Sequence, residues 1–433
     1  MIFKRMREHI LGKAIRGKLV PQLHEEGYVK QICNAPTNVP FAIPSTWKWC
    51  SLGNLVDYGK AEKISCNDIP SSTWVLELED IEENTGKILE KKRDVEVKSN
   101  KNVFEEGYLL YSKLRPYLNK VVIADECGVC TTELIPINVK SAKAPLLPKY
   151  LQFFLMSPDF VDYANRHSHG AKPRLGTNDA KAANIPIPPF EEQNRIVAKI
   201  ESLFGEIDRA EEAYEELQSL ANVLRGQILQ KAIQGKLVPQ LPEDGVVNQI
   251  GDAPAEVPFD IPDSWKWLTL EAIGFWKAGA TPSRSVKEYY ENGTIPWLKT
   301  GDLTDGIIST VEEQITQDAL DSCTAHINSK GSVLIAMYGA TIGKLGVLDI
   351  DCATNQACCA CQVNSSLIYN WYLFYYLMSQ RANFIAQGAG GAQTNISKTK
   401  ITVYPIPLPP LAEQKRIVAK VEALFEQIDL MTK

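Results

Sequence analysis

Hydrophobic residues in the middle of the chain recur alternately four and three positions apart. Between residues 191 and 233 no proline interrupts this spacing, which predicts one long helix whose apolar stripe packs against a partner helix. At about 1.5 Å per residue the helix would be roughly 60 Å long. The positions on this stripe are Ile196, Ile200, Leu203, Ile207, Ala210, Tyr214, Leu217, Ala221, Leu224 and Ile228.

Both terminal segments repeat part of this central helix. Met6 and Ile10 correspond to Leu224 and Ile228, and the strings KAI and GKLVPQL follow in both places. We therefore predict that residues 413–433 and 1–15 together form a second helix, antiparallel to the central one. A consequence is that aspartate in place of Leu217 or Leu224 would put an unpaired charge into the helix interface. The C-terminal positions with the same spacing are Ile417, Val421, Leu424, Ile428 and Met431.

Several strings occur twice in the chain. The string GKLVPQL stands at 17–23 and again at 235–241, and Trp-Lys-Trp stands at 47–49 and again at 265–267. The string Glu-Gln-x-Arg-Ile-Val likewise begins at Glu192 and at Glu413. Because the copies are circularly permuted, they predict two structural units related by a pseudo-twofold.

The segments between the helices predict two globular domains of the α+β class. Each ends in an alternating proline strap, IPIPP at 185–189 and YPIPLPP at 404–410, which cannot be helical and predicts an extended segment. Short β-type runs and short helical patterns fill the interiors. The predicted division is an N-terminal helix and lead-in at 1–38, a first domain at 39–190, a central helix and lead-in at 191–256, a second domain at 257–411, and a C-terminal helix at 412–433 that pairs with the central one.

The charge of the chain is acidic, with 46 Lys and Arg against 52 Asp and Glu and a net charge of −6. This balance argues against extensive phosphate contact by the chain alone. Basic residues nevertheless bunch in three groups, at 91–101, 113–120 and 166–174. The ten cysteines are scattered, which indicates thiols in a reducing cytoplasm. No run of 18 apolar residues predicts a membrane span.

Strings that mark common catalytic sites are broken in this chain. Residues 339–345 read GATIGKL, one residue short of a phosphate-binding loop and with Leu345 where that loop needs a hydroxyl. Ile187 stands before Pro-Pro-Phe, where an amino-methyltransferase would carry Asp or Asn. The cysteines at 127–130 and 352–361 do not form a tetrahedral zinc pattern and are better explained as buried strand residues. We therefore expect no catalytic residue, no metal site and no bound cofactor.

Taken together, these features resemble the specificity subunit of type I restriction-modification systems, and the resemblance covers essentially the whole chain. It is carried by the Pro-Pro-x-x-Glu-Gln-x-Arg-Ile-Val junctions, which begin at Pro188 and Pro409, and by the lead-in GKLVPQL. The strings inside the domains that resemble the family are SKLRPYL at 112–118 and TTEL at 131–134 in the first, and GATPS at 279–283, IPW at 295–297, YGATIGK at 338–344 and TNQ at 354–356 in the second.

The resemblance implies a non-catalytic reader of double-stranded DNA. Each domain would be a target recognition domain that reads one half of a bipartite sequence in the major groove. The two long helices would set the spacing and dock two methyltransferase subunits, which would hold S-adenosylmethionine, and restriction subunits would complete the assembly. The alternative is a non-catalytic two-domain adaptor that binds proteins. A stand-alone enzyme is disfavoured by the broken motifs.

Candidate DNA contacts follow from the chemistry of base edges, because Arg and Lys suit guanine whereas Asn and Gln suit adenine. For each candidate the alternative is an ordinary role in a turn, in the core or on a solvent-facing loop. The candidates are Lys113, Arg115, Asn119, Lys120 and Arg174 in the first domain, and Lys299, Lys344, Gln393 and Asn395 in the second.

Overall fold

The computed structural model describes residues 2–30, 32–33, 36, 38–388 and 395–433. The chain divides into two compact units, Met1–Ala213 and Tyr214–Lys433. The boundary between them falls inside the long central helix, so that each unit contains part of that helix.

The helix predicted over residues 191–233 is confirmed, because one uninterrupted helix extends over Phe190–Ile233. The other helices that the structure describes are short or lie near a terminus. In chain order the helices are α1 (Ile2–Ile15), α2 (Leu52–Leu55), α3 (Pro148–Met156), α4 (Pro158–Arg166), α5 (Thr177–Ala182), α6 (Phe190–Ile233), α7 (Gln317–Asp321), α8 (Asn370–Ser379), α9 (Arg381–Gly388), α10 (Lys398–Thr402) and α11 (Leu411–Met431).

The first unit contains small mixed sheets. Their strand orders are β2-β4-β7-β3 and β6-β5-β8, with the pairs β1-β11 and β9-β10 beside them. Only β3 and β7 pair in parallel among the strands described in this unit. The strands are β1 (Lys48–Ser51), β2 (Lys63–Ile64), β3 (Trp74–Leu76), β4 (Lys101–Phe104), β5 (Leu109–Ser112), β6 (Val121–Ile123), β7 (Gly128–Cys130), β8 (Leu134–Ile137), β9 (Ser168–His169), β10 (Arg174–Leu175) and β11 (Asn184–Ile187).

The second unit has larger sheets of a different order. They are β13-β21-β18-β19-β15 and β16-β14-β20-β17, with the pair β12-β22 beside them. Both units therefore mix helices with mainly antiparallel strands, which confirms the α+β class. The strands are β12 (Lys266–Thr269), β13 (Gly274–Ala278), β14 (Ile295–Leu298), β15 (Gly306–Ile308), β16 (Gln314–Ile315), β17 (Ile327–Asn328), β18 (Val333–Ala336), β19 (Leu345–Leu348), β20 (Cys352–Thr354), β21 (Cys358–Val363) and β22 (Pro405–Leu408).

The proline straps are extended, as the sequence predicts. Each strap forms a strand, β11 or β22, that pairs antiparallel with the strand carrying the second tryptophan of the Trp-Lys-Trp string. Trp49 lies opposite Pro186 in the first unit, and Trp267 lies opposite Pro407 in the second. A two-stranded ribbon tolerates these prolines because only one edge of each strand needs ladder hydrogen bonds.

A terminal helix lies antiparallel to α6 within each unit, which confirms this part of the predicted pairing, whereas the joining of the two terminal segments into one helix stays a prediction. In the first unit Arg7 Nη2 of α1 donates to Asp208 Oδ1 at 2.6 Å and to Glu211 Oε2 at 2.8 Å, and both acceptors lie on α6. In the second unit Gln218 Nε2 of α6 donates to the carbonyl oxygen of Thr432, just after α11, at 3.1 Å. The hydrophobic core of each unit continues from this helix pair into its globular domain.

The apolar stripe of α6 is buried at its ends and partly exposed in the middle. Ile196 and Ile200 are fully buried against the first domain, whereas the Leu224 side chain is 45% exposed. The prediction that aspartate at Leu224 would bury an unpaired charge is therefore wrong, because water reaches this turn of α6. Four-three spacing marks the face that a helix can bury, but a given turn is buried only where another element covers it.

Candidate functional site

In the first unit the Glu133 carboxylate holds two cations. Arg174 Nε donates to both carboxylate oxygens at 3.2 Å, and Arg174 Nη2 lies 3.1 Å from Oε1. Lys113 Nζ is 4.0 Å from Oε2. Backbone hydrogen bonds connect the three segments, because the N–H of Lys113 donates to Glu133 at 3.0 Å and that of Leu175 donates to Lys113 at 2.9 Å. The carboxylate raises the pKa of the Arg174 guanidinium.

The structure brings together two of the three basic groups seen in the sequence. The β9–β10 hairpin sets His169 opposite Arg174. The backbone N–H of Arg115 donates to the carbonyl of Pro173 at 2.7 Å, and Arg115 is exposed in a left-handed conformation with φ of 49°. Residues 113–115 and the hairpin thus form one basic surface around Glu133.

Two of the candidate DNA contacts in the first domain, Asn119 and Lys120, use their side chains for hydrogen bonds within the protein. Asn119 is buried and its Nδ2 donates at 3.0 Å to the carbonyl of Met156, the last residue of α3. This contact satisfies a carbonyl that a helix end leaves without an internal partner. Lys120 Nζ donates to the carbonyl of Leu78 at 2.9 Å. The structure therefore does not present the amide of Asn119 or the ammonium group of Lys120 as open DNA contacts.

The remaining basic group, at residues 91–101, is largely compensated by carboxylates. Lys91 lies 2.7 Å from Asp125, and Arg93 lies 2.7 Å from Glu126. This group therefore adds little net positive charge to the surface. Its other ion pairs are Lys91 with Glu126, Lys92 with Glu79 and Asp80, Lys98 with Glu96, and Lys101 with Glu77.

In the second unit Glu313 also holds two cations. Lys299 Nζ lies 2.8 Å from Oε2 of Glu313, and Arg284 Nη1 pairs with Oε1. The Arg284 guanidinium lies over two rings, 4.1 Å from the centroid of Tyr290 and 5.0 Å from that of Trp297. Such stacking restrains the guanidinium by cation–π attraction. The hydrogen bond from Arg284 lowers the pKa of Glu313, and Glu313 in turn raises the pKa values of Arg284 and Lys299.

Two other candidates in the second domain, Lys344 and Asn395, lie on or beside the segment of residues 337–344. Lys344 is half-buried and ends a turn in which Gly339 and Gly343 have φ of 62° and 77°. Asn395 is exposed and forms an isolated β-bridge with Tyr338. Gln393 lies outside the residues that the structure describes.

Sequence reasoning missed three members of the charged clusters, Arg284, Glu133 and Glu313. Glu133 belongs to the string TTEL and Lys113 to the string SKLRPYL, the two strings of the first domain that resemble the family. Their shared origin in these strings is the signal that could have indicated that Glu133 lies near Lys113. No sequence signal connects Arg284 with Glu313, which is 29 residues away, because their contact depends on tertiary structure.

The junction between each domain and α6 or α11 contains a buried carboxylate. Glu192 accepts from Trp47 Nε1 at 2.9 Å and from Gln22 Nε2 at 2.6 Å. Burial is the largest influence on this carboxyl group and raises its pKa. Glu413 has the same environment in the second unit, with Trp265 Nε1 at 3.0 Å and Gln240 Nε2 at 2.6 Å, and its pKa is raised for the same reason.

Four cysteines of the second unit are buried strand residues, as expected, whereas Cys323 is half-buried and follows α7. Cys352 lies on β20, and Cys358, Cys359 and Cys361 lie on β21. Burial raises the pKa of the Cys352 and Cys359 thiols to about 12.

In the first unit Cys130 is buried on β7, but Cys127 is exposed and precedes that strand, so the expectation of a buried strand residue is wrong for Cys127. Across the described ranges no cluster of three or more His, Cys, Asp or Glu could hold a metal ion. Within the same ranges no helix has the length and apolar character needed to cross a membrane.

Comparison with known proteins shows matches over most of the chain. A family model described as "Type I restriction modification DNA specificity domain" matches twice, at residues 44–219 and 262–433. The EcoDI specificity subunit of Escherichia coli is 32% identical over 253 residues, an alignment that covers 55% of this chain and 55% of that subunit. The EcoAI specificity subunit of the same organism is 22% identical over 530 residues, covering 98% and 89% of the two chains.

Solved structures with the same fold are also known. One chain comes from a study of complex assembly and conformational transition of the type I restriction-modification system. It has a TM-score of 0.72 and 23% identity, and the match covers 91% of this chain and 93% of that one. The HsdS subunit from Thermoanaerobacter tengcongensis has a TM-score of 0.54, with the same identity and coverage. At this identity the likeness shows the fold.

Proposed function

The chain belongs to the type I restriction modification DNA specificity family, and from that membership we propose that it selects the DNA sequence for a type I restriction-modification complex. Residues 39–190 and 257–411 are the two recognition domains, and each reads one half of a bipartite double-stranded target. The observation that carries this proposal is the duplication of the family match, since two related domains suit a target with two halves.

The proposal leaves the chemistry to partner subunits. Methyltransferase subunits bind S-adenosylmethionine and methylate adenine, and restriction subunits cleave the DNA. The role of this chain is to bind and to position. The contacts in each domain come from cations that are exposed or half-buried, which are Lys113, Arg115 and Arg174 in the first domain and Arg284, Lys299 and Lys344 in the second.

Two copies of the methyltransferase subunit dock on the repeated junctions. Support comes from the likeness of the two surfaces. Arg195 Nη2 pairs with Glu26 Oε2 at 2.6 Å and Nη1 donates to the carbonyl of Pro21 at 3.1 Å. Arg416 makes matching contacts in the second unit, with Asp244 at 2.6 Å and Pro239 at 3.1 Å. Similar local chemistry in both units, an arginine held by a carboxylate and a lead-in carbonyl, suits two copies of one partner.

Exposed apolar residues on the helices extend this docking surface. Leu220 and Val223 of α6 are more than half exposed, and so are Leu430 and Met431 of α11 in the same unit. Clustered apolar side chains on a surface helix are typical of a protein-binding face. We expect Leu220→Asp to weaken methyltransferase binding, whereas the neighbouring substitution Ser219→Asp, which adds the same charge at an exposed polar position, serves as the matched control.

The test uses the purified chain, the methyltransferase subunit from the same genome, and labelled DNA. Native mass spectrometry should show a complex with two methyltransferase subunits, and selection from random DNA should give a two-part motif only when both proteins are present. Binding by the chain alone should be weak, because its net charge is −6. It should also be steeply salt-dependent, because the attraction that remains is between local basic groups and DNA phosphates. An assembly that binds protein partners yet selects no DNA sequence would favour the adaptor alternative.

A further inference from the structure

Both recognition domains contain the same arrangement of three charged side chains. In the first, Glu133 holds Arg174 and Lys113, and in the second Glu313 holds Arg284 and Lys299. The two sets occur in domains whose sheets differ in strand number and order. Because the sheets of the two domains differ, shared sheet topology does not explain why both domains contain this set of charged side chains.

In each domain the carboxylate and the lysine lie near the same end of an antiparallel strand pair. The register differs, because Lys113 lies opposite Glu133, whereas Glu313 lies opposite Trp297, two residues before Lys299. Lys113 follows β5 and Glu133 precedes β8, and these two strands pair antiparallel. Lys299 follows β14 and Glu313 precedes β16, which also pair antiparallel. Each cluster therefore lies at the end of an antiparallel ribbon, where side chains leave the sheet and reach solvent.

The arginine comes from a third segment in each domain. Arg174 lies on β10, which is hydrogen-bonded to Lys113 through the N–H of Leu175. Arg284 lies in the loop after β13 and stacks on Tyr290 and Trp297. In both domains a guanidinium thus contacts a half-buried glutamate, although the arginine lies on a strand in one domain and in a loop in the other.

The carboxylates are less accessible than the arginines that they hold. The Glu133 and Glu313 side chains are 23% and 21% exposed, whereas those of Arg174 and Arg284 are 49% and 52% exposed. A guanidinium has five N–H donors. In the contacts described, Arg174 uses Nε and Nη2 and Arg284 uses Nη1, so that further donors face outward.

In the second cluster Asp302 accepts from the backbone N–H of Lys299 at 2.8 Å and balances the second cation. The first cluster keeps an excess of positive charge, because Glu133 faces two cations. This excess stands out in a chain whose net charge is −6. A guanidinium already restrained by a carboxylate, and in the second domain by two rings, loses little conformational entropy when it binds. Such a group is suited to a planar acceptor pair, and the guanine edge offers N7 and O6 in the major groove.

We propose that Arg174 and Arg284 each read a guanine edge, one in each half of the target, and that Glu133 and Glu313 are positioning residues that aim them. This proposal rests on the proposed function. Lys113 and Lys299 contact the flanking phosphate or the adjacent base. The target therefore contains at least one essential guanine in each half, counted on either strand.

The test is selection of binding sites from random DNA by the complex with methyltransferase subunits. Wild type should select a two-part motif. Arg284→Ala should lose the preference for guanine at one position of one half, with an affinity loss of about ten- to a hundredfold, and should leave the other half unchanged. Arg174→Ala should do the same in the other half. Each variant is thus the control for the other, and Arg93→Ala, at an ion-paired surface position, controls for the general effect of removing one positive charge.

The positioning role of the carboxylates has its own measurement. Glu313→Gln should relax the same guanine position as Arg284→Ala while leaving the melting temperature near that of wild type. Replacing that guanine by 7-deazaguanine should weaken binding by wild type but not further weaken binding by Arg284→Ala, because both changes remove one contact.

Three results would overturn the assignment. If wild type selects no two-part motif, the proposed function and this inference both fail. If wild type selects the motif and the arginine variants keep it unchanged, only the inference fails. If the arginine variants weaken binding to all sequences equally and lower the salt slope by about 1, the arginines contact phosphate and not guanine.

Discussion

The junctions of the two units can be compared atom by atom. Trp47 Nε1 lies 2.9 Å from Glu192, and Trp265 Nε1 lies 3.0 Å from Glu413. The glutamine of the lead-in donates to the same carboxylate at 2.6 Å in both units. A tyrosine hydroxyl donates to a strap carbonyl at 2.7 Å in both, from Tyr150 to Pro186 and from Tyr372 to Pro407.

The domain interiors show no such agreement. The first domain has sheets of four and three strands, whereas the second has sheets of five and four strands in another order. A few buried polar contacts therefore define how each domain joins its helices, independently of the sheets in the domain interior. We infer that this separation lets the recognition surface vary while the junction keeps its geometry.

Burying the carboxylate of each junction costs desolvation free energy, and the hydrogen bonds that the carboxylate accepts offset this cost. Gln193 and Gln414, which follow the carboxylates, are fully buried and bind strap and domain carbonyls through Nε2. Buried polar groups demand specific partners, so they specify one geometry more strongly than apolar packing does. The two junctions should therefore respond alike to matched substitutions.

The largest expected effect comes from removing the junction tryptophans. Trp47→Ala and Trp265→Ala should each lower the free energy of unfolding of their own unit by about 3–5 kcal/mol, because each ring is almost fully buried. Hydrogen exchange resolved by unit measures this, and Trp→Phe at each position separates ring packing from the lost Nε1 hydrogen bond. Unequal losses of stability in the two units would show that the two junctions are not equivalent.

A smaller loss is expected at the glycines after α1 and α6. Gly17 and Gly235 have φ of 65° and 69°, and a Cβ on either would lie 2.4 Å from Cγ of Pro44 or Pro262. Alanine at either position should cost about 2–4 kcal/mol, from left-handed strain and overpacking together. Gly27→Ala is the matched control, since Gly27 also has positive φ (73°) but no atom within 4 Å of the added Cβ, and it should cost only about 1 kcal/mol.

Next in size is removal of the junction carboxylate. Glu192→Ala or Glu413→Ala leaves a buried indole N–H and an amide without an acceptor, which should cost about 1–3 kcal/mol. Glu→Gln at the same position should cost less, because one side-chain oxygen remains as an acceptor. Urea unfolding of the matched variants checks the order, and an alanine variant as stable as wild type would contradict this account of the junction.

The smallest effect is a pH dependence. Burial raises the pKa values of Glu192 and Glu413 above the ordinary 4.5, so between the unfolded and folded pKa values the folded state binds more protons. The contribution of these groups to stability therefore decreases as pH rises through that interval. The variant Glu192→Gln/Glu413→Gln should lack this decrease. Urea titrations of both proteins at several pH values measure the difference, and parallel curves would argue against raised pKa values.

Much of the scaffold could be predicted from the sequence, because repeated strings and helical periodicity are local signals. The long helix, the antiparallel terminal helices and the extended straps all follow from them. The predicted burial of Leu224 is wrong, because periodicity does not show which turns of a helix are covered by another element. The sites were harder, since Asn119 turns inward under α3 and Arg284 meets Glu313 only through tertiary structure. Lys113, Arg174 and Lys299 could be named as candidates, but not their shared carboxylates.

The central claim is that each domain reads its half of the target independently, on a scaffold common to both. The most direct measurement replaces residues 257–411 with the corresponding domain of another specificity subunit and selects binding sites with the assembled complex. The account predicts that one half of the motif changes to that of the donor, while the other half and the spacer length stay as in wild type. A change in both halves would contradict it.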